Sequence, residues 1–158
     1  MLFSNHKHVL DLNIPIKKQI WKIAAVGLGI ISSILIIHIM QFINIALYPV
    51  EETISEFNAS VYDDFIRGNP IFLIGILFSN LTGSFFGGAI ARLTHHSVTI
   101  LSAGWVGVVL LGLDLYNLLS VDYPLWFWLL SLIIYIPAAW FGAFAVTFTQ
   151  NRQIEVSQ

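Results

Sequence analysis

Two ionisable residues lie inside long apolar segments of the sequence, and they are the first candidates for chemistry. Asp114 interrupts LLGLDLYNLL, and His38 interrupts ILIIHIMQF. A carboxyl group at the centre of a membrane helix costs about 2.5–3.5 kcal/mol on insertion scales, so such groups usually face the protein interior and have a partner. An aspartate can carry a proton, and an imidazole titrates near neutral pH. The two residues therefore indicate a candidate proton or cation site.

The rise of an α-helix predicts that these residues lie at a similar depth. At 1.5 Å per residue, His38 lies about 24 Å and Asp114 about 27 Å above the inner boundary of their segments. Asn80 lies about 18 Å above the same boundary, somewhat deeper in the membrane. We therefore predict one polar cluster that opens toward the outer side, with Asn80 beneath it. Its members are His38, Gln41, Asn80, Asp114 and Asn117.

Three interpretations of this cluster remain open on the sequence alone. It is a hydrogen-bond network that fixes helix register, a proton- or cation-coupled site, or a contact with a partner subunit. A haem site would need a second histidine at the same depth, which only a dimer could supply.

Most other chemistry is excluded by what the sequence lacks. Without cysteine there are no disulfides, thiolate metal sites or iron–sulfur clusters. A net charge of −2 gives no basic face for nucleic acid. No nucleophile elbow brings serine, histidine and aspartate together. We therefore predict no enzyme and no catalytic, cofactor-binding or metal-binding residue.

Composition identifies the elements that must position the cluster. The chain is 57% hydrophobic and 10% charged, with a mean hydropathy of +0.81, far from the roughly 25% charged composition of soluble domains. A spanning helix needs about 20 mainly apolar residues. The sequence predicts an all-α membrane protein, a bundle of four transmembrane helices within residues 21–148. The predicted spans are 21–48, 69–92, 97–119 and 124–148, flanked by an N-terminal segment, 1–20, and a tail, 149–158.

The loop between spans one and two predicts a further helix over residues 50–67. Apolar residues recur there at helical spacing with acids between them, which is typical of an amphipathic helix lying on the membrane surface. Docking of a partner outside the membrane is the alternative interpretation.

Positive charge predicts the orientation, because short loops rich in lysine and arginine stay in the cytoplasm. Arg67 alone falls on the other side, so we expect both termini in the cytoplasm and the first span to be an uncleaved signal anchor. The positive residues on the predicted inner side are Lys7, Lys17, Lys18, Lys22, Arg92 and Arg152.

Small residues predict where the helices pack. Spans two, three and four each have small residues that allow close approach of helix backbones in lipid, including a GxxxG pattern in span two. The same pattern is compatible with homodimerisation. The predicted packing residues are Gly83, Ser84, Gly87, Gly104, Gly107, Ala138 and Gly142.

Four short stretches resemble an uncharacterised family of small bacterial four-span integral membrane proteins. They are ALYP at 46–49, LTGSFFGGAIAR at 81–92, YPLWFW at 123–128 and YIPAAWFG at 135–142. The resemblance covers roughly the last three quarters of the chain. It implies the four-span architecture and a bacterial inner-membrane location, and it implies no catalytic residue.

The functional prediction is a non-enzymatic structural or accessory subunit that packs in the lipid bilayer against itself or a larger membrane complex. A small proton- or cation-coupled transporter that uses the Asp114 and His38 cluster is the alternative. A single intramembrane acid and the absence of an inverted repeat count against the transporter, although a dimer could supply the second half.

Overall fold

The computed structural model describes residues 6–48, 65–95 and 97–156, with the side chains of residues 16–150 and 152 within those ranges. Four helices account for most of them, and no strand occurs in these ranges. They are α1 (His6–Leu47), α2 (Pro70–Thr94), α3 (Ile100–Ser120) and α4 (Leu125–Val156). Each contains a stretch long and apolar enough to cross a membrane: Ile16–Leu47, Pro70–Thr94, Ile100–Ser120 and Leu125–Gln150. The predicted all-α, four-span architecture is confirmed.

A short helix lies between the first two spans, as predicted. Residues 65–68 are its described part, and the predicted residues 50–64 lie outside the described residues. Ile66 is fully buried against Leu73 and Phe127, and Arg67 makes an exposed ion pair with Asp122. This helix therefore packs against the end of the bundle.

The helix boundaries differ from the predicted spans for local reasons. Helix α3 begins at Ile100 rather than at 97, because Thr99 caps it and accepts a hydrogen bond from the Ser102 backbone N–H. Helix α2 begins at Pro70, whose missing N–H is harmless in the first turn. Helix α4 continues past 148 to Val156, because no glycine or proline follows to stop it.

Helix α2 is the central helix of the bundle. It packs against α1, α3 and α4, whereas α1 and α3 meet over a smaller contact and the described parts of α1 and α4 make no close backbone approach. Half of the most apolar window of α2 is buried inside the protein, against 22% for α1. The apolar outer surface of the bundle is left to the lipid bilayer. The weak α1–α3 contact leaves a seam along one side of the molecule.

Each end of the bundle has its own set of residues. The terminal end, as we call it, contains the start of the α1 span, the 95–99 connection and the end of the α4 span. The distal end contains the end of α1, the short helix at 65–68 and the 121–124 connection. The chain crosses the bundle four times between them.

Candidate functional site

All four helices line one cavity of about 270 Å³ in the distal half of the bundle. Its polar lining includes all five residues of the predicted cluster, which come from α1, α2 and α3. The apolar remainder of the wall closes it toward the terminal end. The lining residues are Ile34, Ile37, His38, Gln41, Asn80, Leu110, Leu113, Asp114, Asn117 and Tyr135.

Asp114 is the charged residue of this cavity. It lies in α3 six residues before Ser120, about 9 Å from the distal end of that helix. The side chains of Tyr135 and Asn117 line the same cavity and are polar neighbours of its carboxyl group. One carboxyl oxygen, Oδ2, is buried and has no hydrogen-bond partner among the described residues. One acceptor of the carboxyl group is therefore unused.

Asn80 supplies an unused donor to the same cavity. Its side chain enters from α2 and is 2% exposed, and its Nδ2 amide nitrogen has no partner within the described part of the chain. Buried polar atoms in proteins are nearly always hydrogen-bonded to protein or to ordered water. A cavity of this volume is large enough for several water molecules. The donor of Asn80 and the acceptor of Asp114 thus face a space that water or an ion can fill.

His38 lies at the rim of the cavity. Its Nδ1 atom is 2.8 Å from the carbonyl oxygen of Ile34, one turn earlier in α1, and the side chain is exposed. No ion pair joins His38 to Asp114 in the described ranges. The structure brings the two residues to one cavity without direct pairing.

The cavity continues toward the distal end. A second cavity of about 190 Å³ shares Gln41, Asp114 and Asn117 with the first and reaches Tyr123 and Phe127. Asn117 is exposed. The polar space is therefore nearer to the distal end than to the terminal end.

The predicted packing glycines lie between helices of this chain. A Cβ atom at Gly83 would lie 2.9 Å from the Ser33 carbonyl oxygen of α1, and one at Gly87 would lie 2.7 Å from that of Gly29. A Cβ atom at Gly107 would lie 2.6 Å from the Tyr135 carbonyl oxygen. A side chain at these positions would force the helices apart.

The remaining predicted packing residues also lie in helix contacts. Gly104 lies against the Trp140 indole, and Gly142 lies against the Phe85 carbonyl oxygen. Ala138 is buried in α4. Ser84 is fully buried, and its hydroxyl has no partner among the described residues.

Sequence reasoning missed Tyr135 as a cavity residue and Gly29 and Gly88 as packing residues. Tyr135 lies 13 residues before Phe148, about 20 Å above the inner boundary of its span, close to the predicted depth of Asn80. That depth was an available signal. Gly88 packs its backbone against Ala139 of α4, on a different side of α2 from Gly83. No pattern within α2 reveals that the helix has neighbours on two sides.

Comparisons with protein-family models, with curated proteins and with solved structures found no match to this chain. The resemblance to bacterial four-span proteins stays a prediction. The fold and the cavity together define an integral membrane protein with four spans and a polar cavity between them.

Proposed function

We propose that this chain is a small proton- or monovalent-cation-coupled membrane carrier, whose ion site is the cavity around Asp114. One observation supports this most directly. A buried donor on Asn80 and a buried acceptor on Asp114, both without a partner among the described residues, line the same cavity. A network that served only to fix helix register would be expected to satisfy its own members.

The cost of placing Asp114 in the membrane also supports a use for it. An aspartate at a helix centre costs about 2.5–3.5 kcal/mol on insertion scales. Intramembrane acids that face a cavity commonly belong to ion or proton pathways. The polar side chains of Tyr135 and Asn117 beside the carboxyl group reduce this cost, and Oδ2, unpartnered among the described residues, is available to a proton or a cation.

The oxygen atoms that line the cavity favour a ligand with a single positive charge. One carboxylate lies among the neutral oxygens of Gln41, Asn117 and Tyr135, and divalent calcium usually requires more oxygen ligands and more negative charge. No group of three or more histidine, cysteine or acidic residues able to hold a metal ion occurs in the described ranges. A proton, or a monovalent cation bound by oxygen atoms, fits the charge of the cavity.

The accessory-subunit hypothesis has less support from the packing. It expects small-residue faces to dock on a second protein, but Gly83, Gly87 and Gly142 are in contact with helices of the same chain. The hypothesis therefore needs a different docking surface, made of large apolar side chains that the bilayer also covers. It remains the outcome to expect if the carrier proposal fails.

The test measures thermal unfolding of the detergent-solubilised protein in choline, sodium and potassium chloride, at several values between pH 5 and pH 9. A ligand that binds only the folded state raises the unfolding temperature. We expect the unfolding temperature of the parent to depend on one of the two metal cations or on pH, and that dependence to disappear in Asp114→Asn.

Asp122→Asn is the matched control, because Asp122 is an exposed acid outside the cavity; it also loses its ion pair with Arg67, so the comparison is of the dependence on cation and pH and not of the absolute unfolding temperature. It should keep the dependence of the parent. If the parent is insensitive to both cations and responds to pH in the same way as Asp114→Asn, the carrier proposal is overturned and the accessory subunit is favoured. A supporting result leads to proton and cation flux measurements in liposomes.

A further inference from the structure

A second groove lies in the α1–α3 seam at the terminal end, separate from the polar cavity. It has a volume of about 340 Å³ and shares no lining residue with that cavity. Between them α1 and α3 approach closely, because a Cβ atom at Gly29 would lie 3.3 Å from Val106 Cγ2. The lining residues are Gln19, Lys22, Ile23, Val26, Gly27, Ile30, Ser102 and Trp105.

We infer that this groove binds one anionic phospholipid, with the phosphate on Lys22 and an acyl chain along Val26 and Ile30. The groove is amphipathic along its length. Lys22, Val26 and Ile30 follow one another at i, i+4 and i+8 on one side of α1, so a single charge is followed by two turns of apolar surface. That order matches a lipid whose head lies at the interface and whose tail points into the membrane.

The size and the rim of the groove suit a chain of methylene groups. A Cβ atom at Gly27 would meet nothing within 4 Å, so the glycine leaves open space in the groove wall. Ile23 and Trp105 are 68% and 63% exposed and form its rim. Tryptophan is typical of the interfacial layer where headgroups lie.

Charge at this end of the bundle selects an anionic lipid. The described side chains there include five cations and no carboxylate: Lys17, Lys18, Lys22, Arg92 and Arg152. Arg92 is used within the fold, where it donates to the Val98 carbonyl oxygen and to Thr147, and Arg152 lies over the Phe148 ring. Lys18 lies one turn before Lys22 on the same side of α1 and reinforces the positive potential at the mouth of the groove. Basic pockets between membrane helices commonly bind lipid headgroups.

The test is native mass spectrometry of protein extracted from vesicles of equal parts phosphatidylcholine and phosphatidylglycerol. We expect the parent to retain one phosphatidylglycerol in preference to phosphatidylcholine. Lys22→Gln should reduce that retention about fivefold, the effect of one interfacial charge. Lys17→Gln removes the same charge from a lysine outside the groove and should reduce retention clearly less than Lys22→Gln.

A second pair of variants tests the acyl-chain part of the groove without changing charge. Gly27→Leu fills open space, so it should fold and yet displace the lipid. Gly112→Leu adds the same side chain where a Cβ atom also meets nothing and lies outside the groove. Equal retention of both lipids, or unchanged retention in Gly27→Leu, would overturn the inference. So would a change of oligomeric mass in Gly27→Leu without loss of lipid, which would assign the groove to a second copy of the chain. None of these results depends on the ion site.

Discussion

The hydroxyl of Tyr135 is the residue-scale contact most directly connected to the proposed ion site. It is a polar neighbour of the Asp114 carboxyl group and comes from a different helix, so we expect it to donate a hydrogen bond to that group. Hydrogen bonds between membrane helices contribute about 1 kcal/mol. We expect Tyr135→Phe to lower the free energy of unfolding by about that amount, because the buried carboxyl group loses a donor.

A double-mutant cycle in detergent measures this interaction. The cost of Tyr135→Phe should disappear when Asp114→Ala is also present, because the acceptor is then gone. Tyr116→Phe is the control, since Tyr116 is on the exposed side of α3 and should contribute little. Equal costs of Tyr135→Phe in both backgrounds would show that the hydroxyl and the carboxyl group do not interact.

At the residue scale, the sequence predicted the depth of a residue in the membrane better than the direction in which its side chain points. Counting helical rise brought His38, Asn80 and Asp114 to a common region, and the structure places all three around one cavity. The count could not show that His38 hydrogen-bonds within its own helix. The same count gives Tyr135 a depth close to that of Asn80, but depth alone does not show that its side chain faces the cavity, because the direction of a side chain depends on which helices are neighbours.

At the scale of elements, the bundle depends on close backbone contacts on two sides of α2. Gly88 packs against the backbone of Ala139 in α4, so a Cβ atom at Gly88 would collide with it. Gly88→Ala should lower the free energy of unfolding by about 1–3 kcal/mol, the usual cost of overpacking. Thermal or denaturant unfolding in detergent measures it.

Gly112 provides the matched control, because a Cβ atom there meets nothing within 4 Å. Gly112→Ala should be neutral or stabilise by up to about 1 kcal/mol, since alanine favours a helix over glycine. If the two alanine variants had the same stability, the α2–α4 contact would not be as close as described.

The positions of the helices in the sequence were predictable, because each span is a long apolar segment. Which helices pack against one another was not predictable. Hydropathy located all four spans to within a few residues, and Thr99 accounts for the later start of α3. Hydropathy does not indicate that α2 lies between α1 and α4, or that α1 and α3 leave a seam. Those facts follow from how side chains of different helices fit, which no single helix pattern contains.

At the scale of the whole molecule, the orientation in the membrane decides which compartment each proposed site faces. The positive side chains gather at the terminal end, so we expect that end in the cytoplasm. The polar cavity would then lie toward the outer side, and the phospholipid groove would face the inner leaflet. A reversed orientation would exchange the membrane sides that the two sites face, but the residues that line each site would be the same.

The chain has no cysteine, so single introduced cysteines can report this orientation without further changes. Ser120 and Thr94 are both exposed, and they lie at the distal and terminal ends of α3 and α2. In intact cells, a membrane-impermeant maleimide should label Ser120→Cys, whereas Thr94→Cys should react only after permeabilisation. The parent controls for labelling of other groups. The opposite labelling pattern would place the cavity toward the cytoplasm and the phospholipid groove toward the outer leaflet.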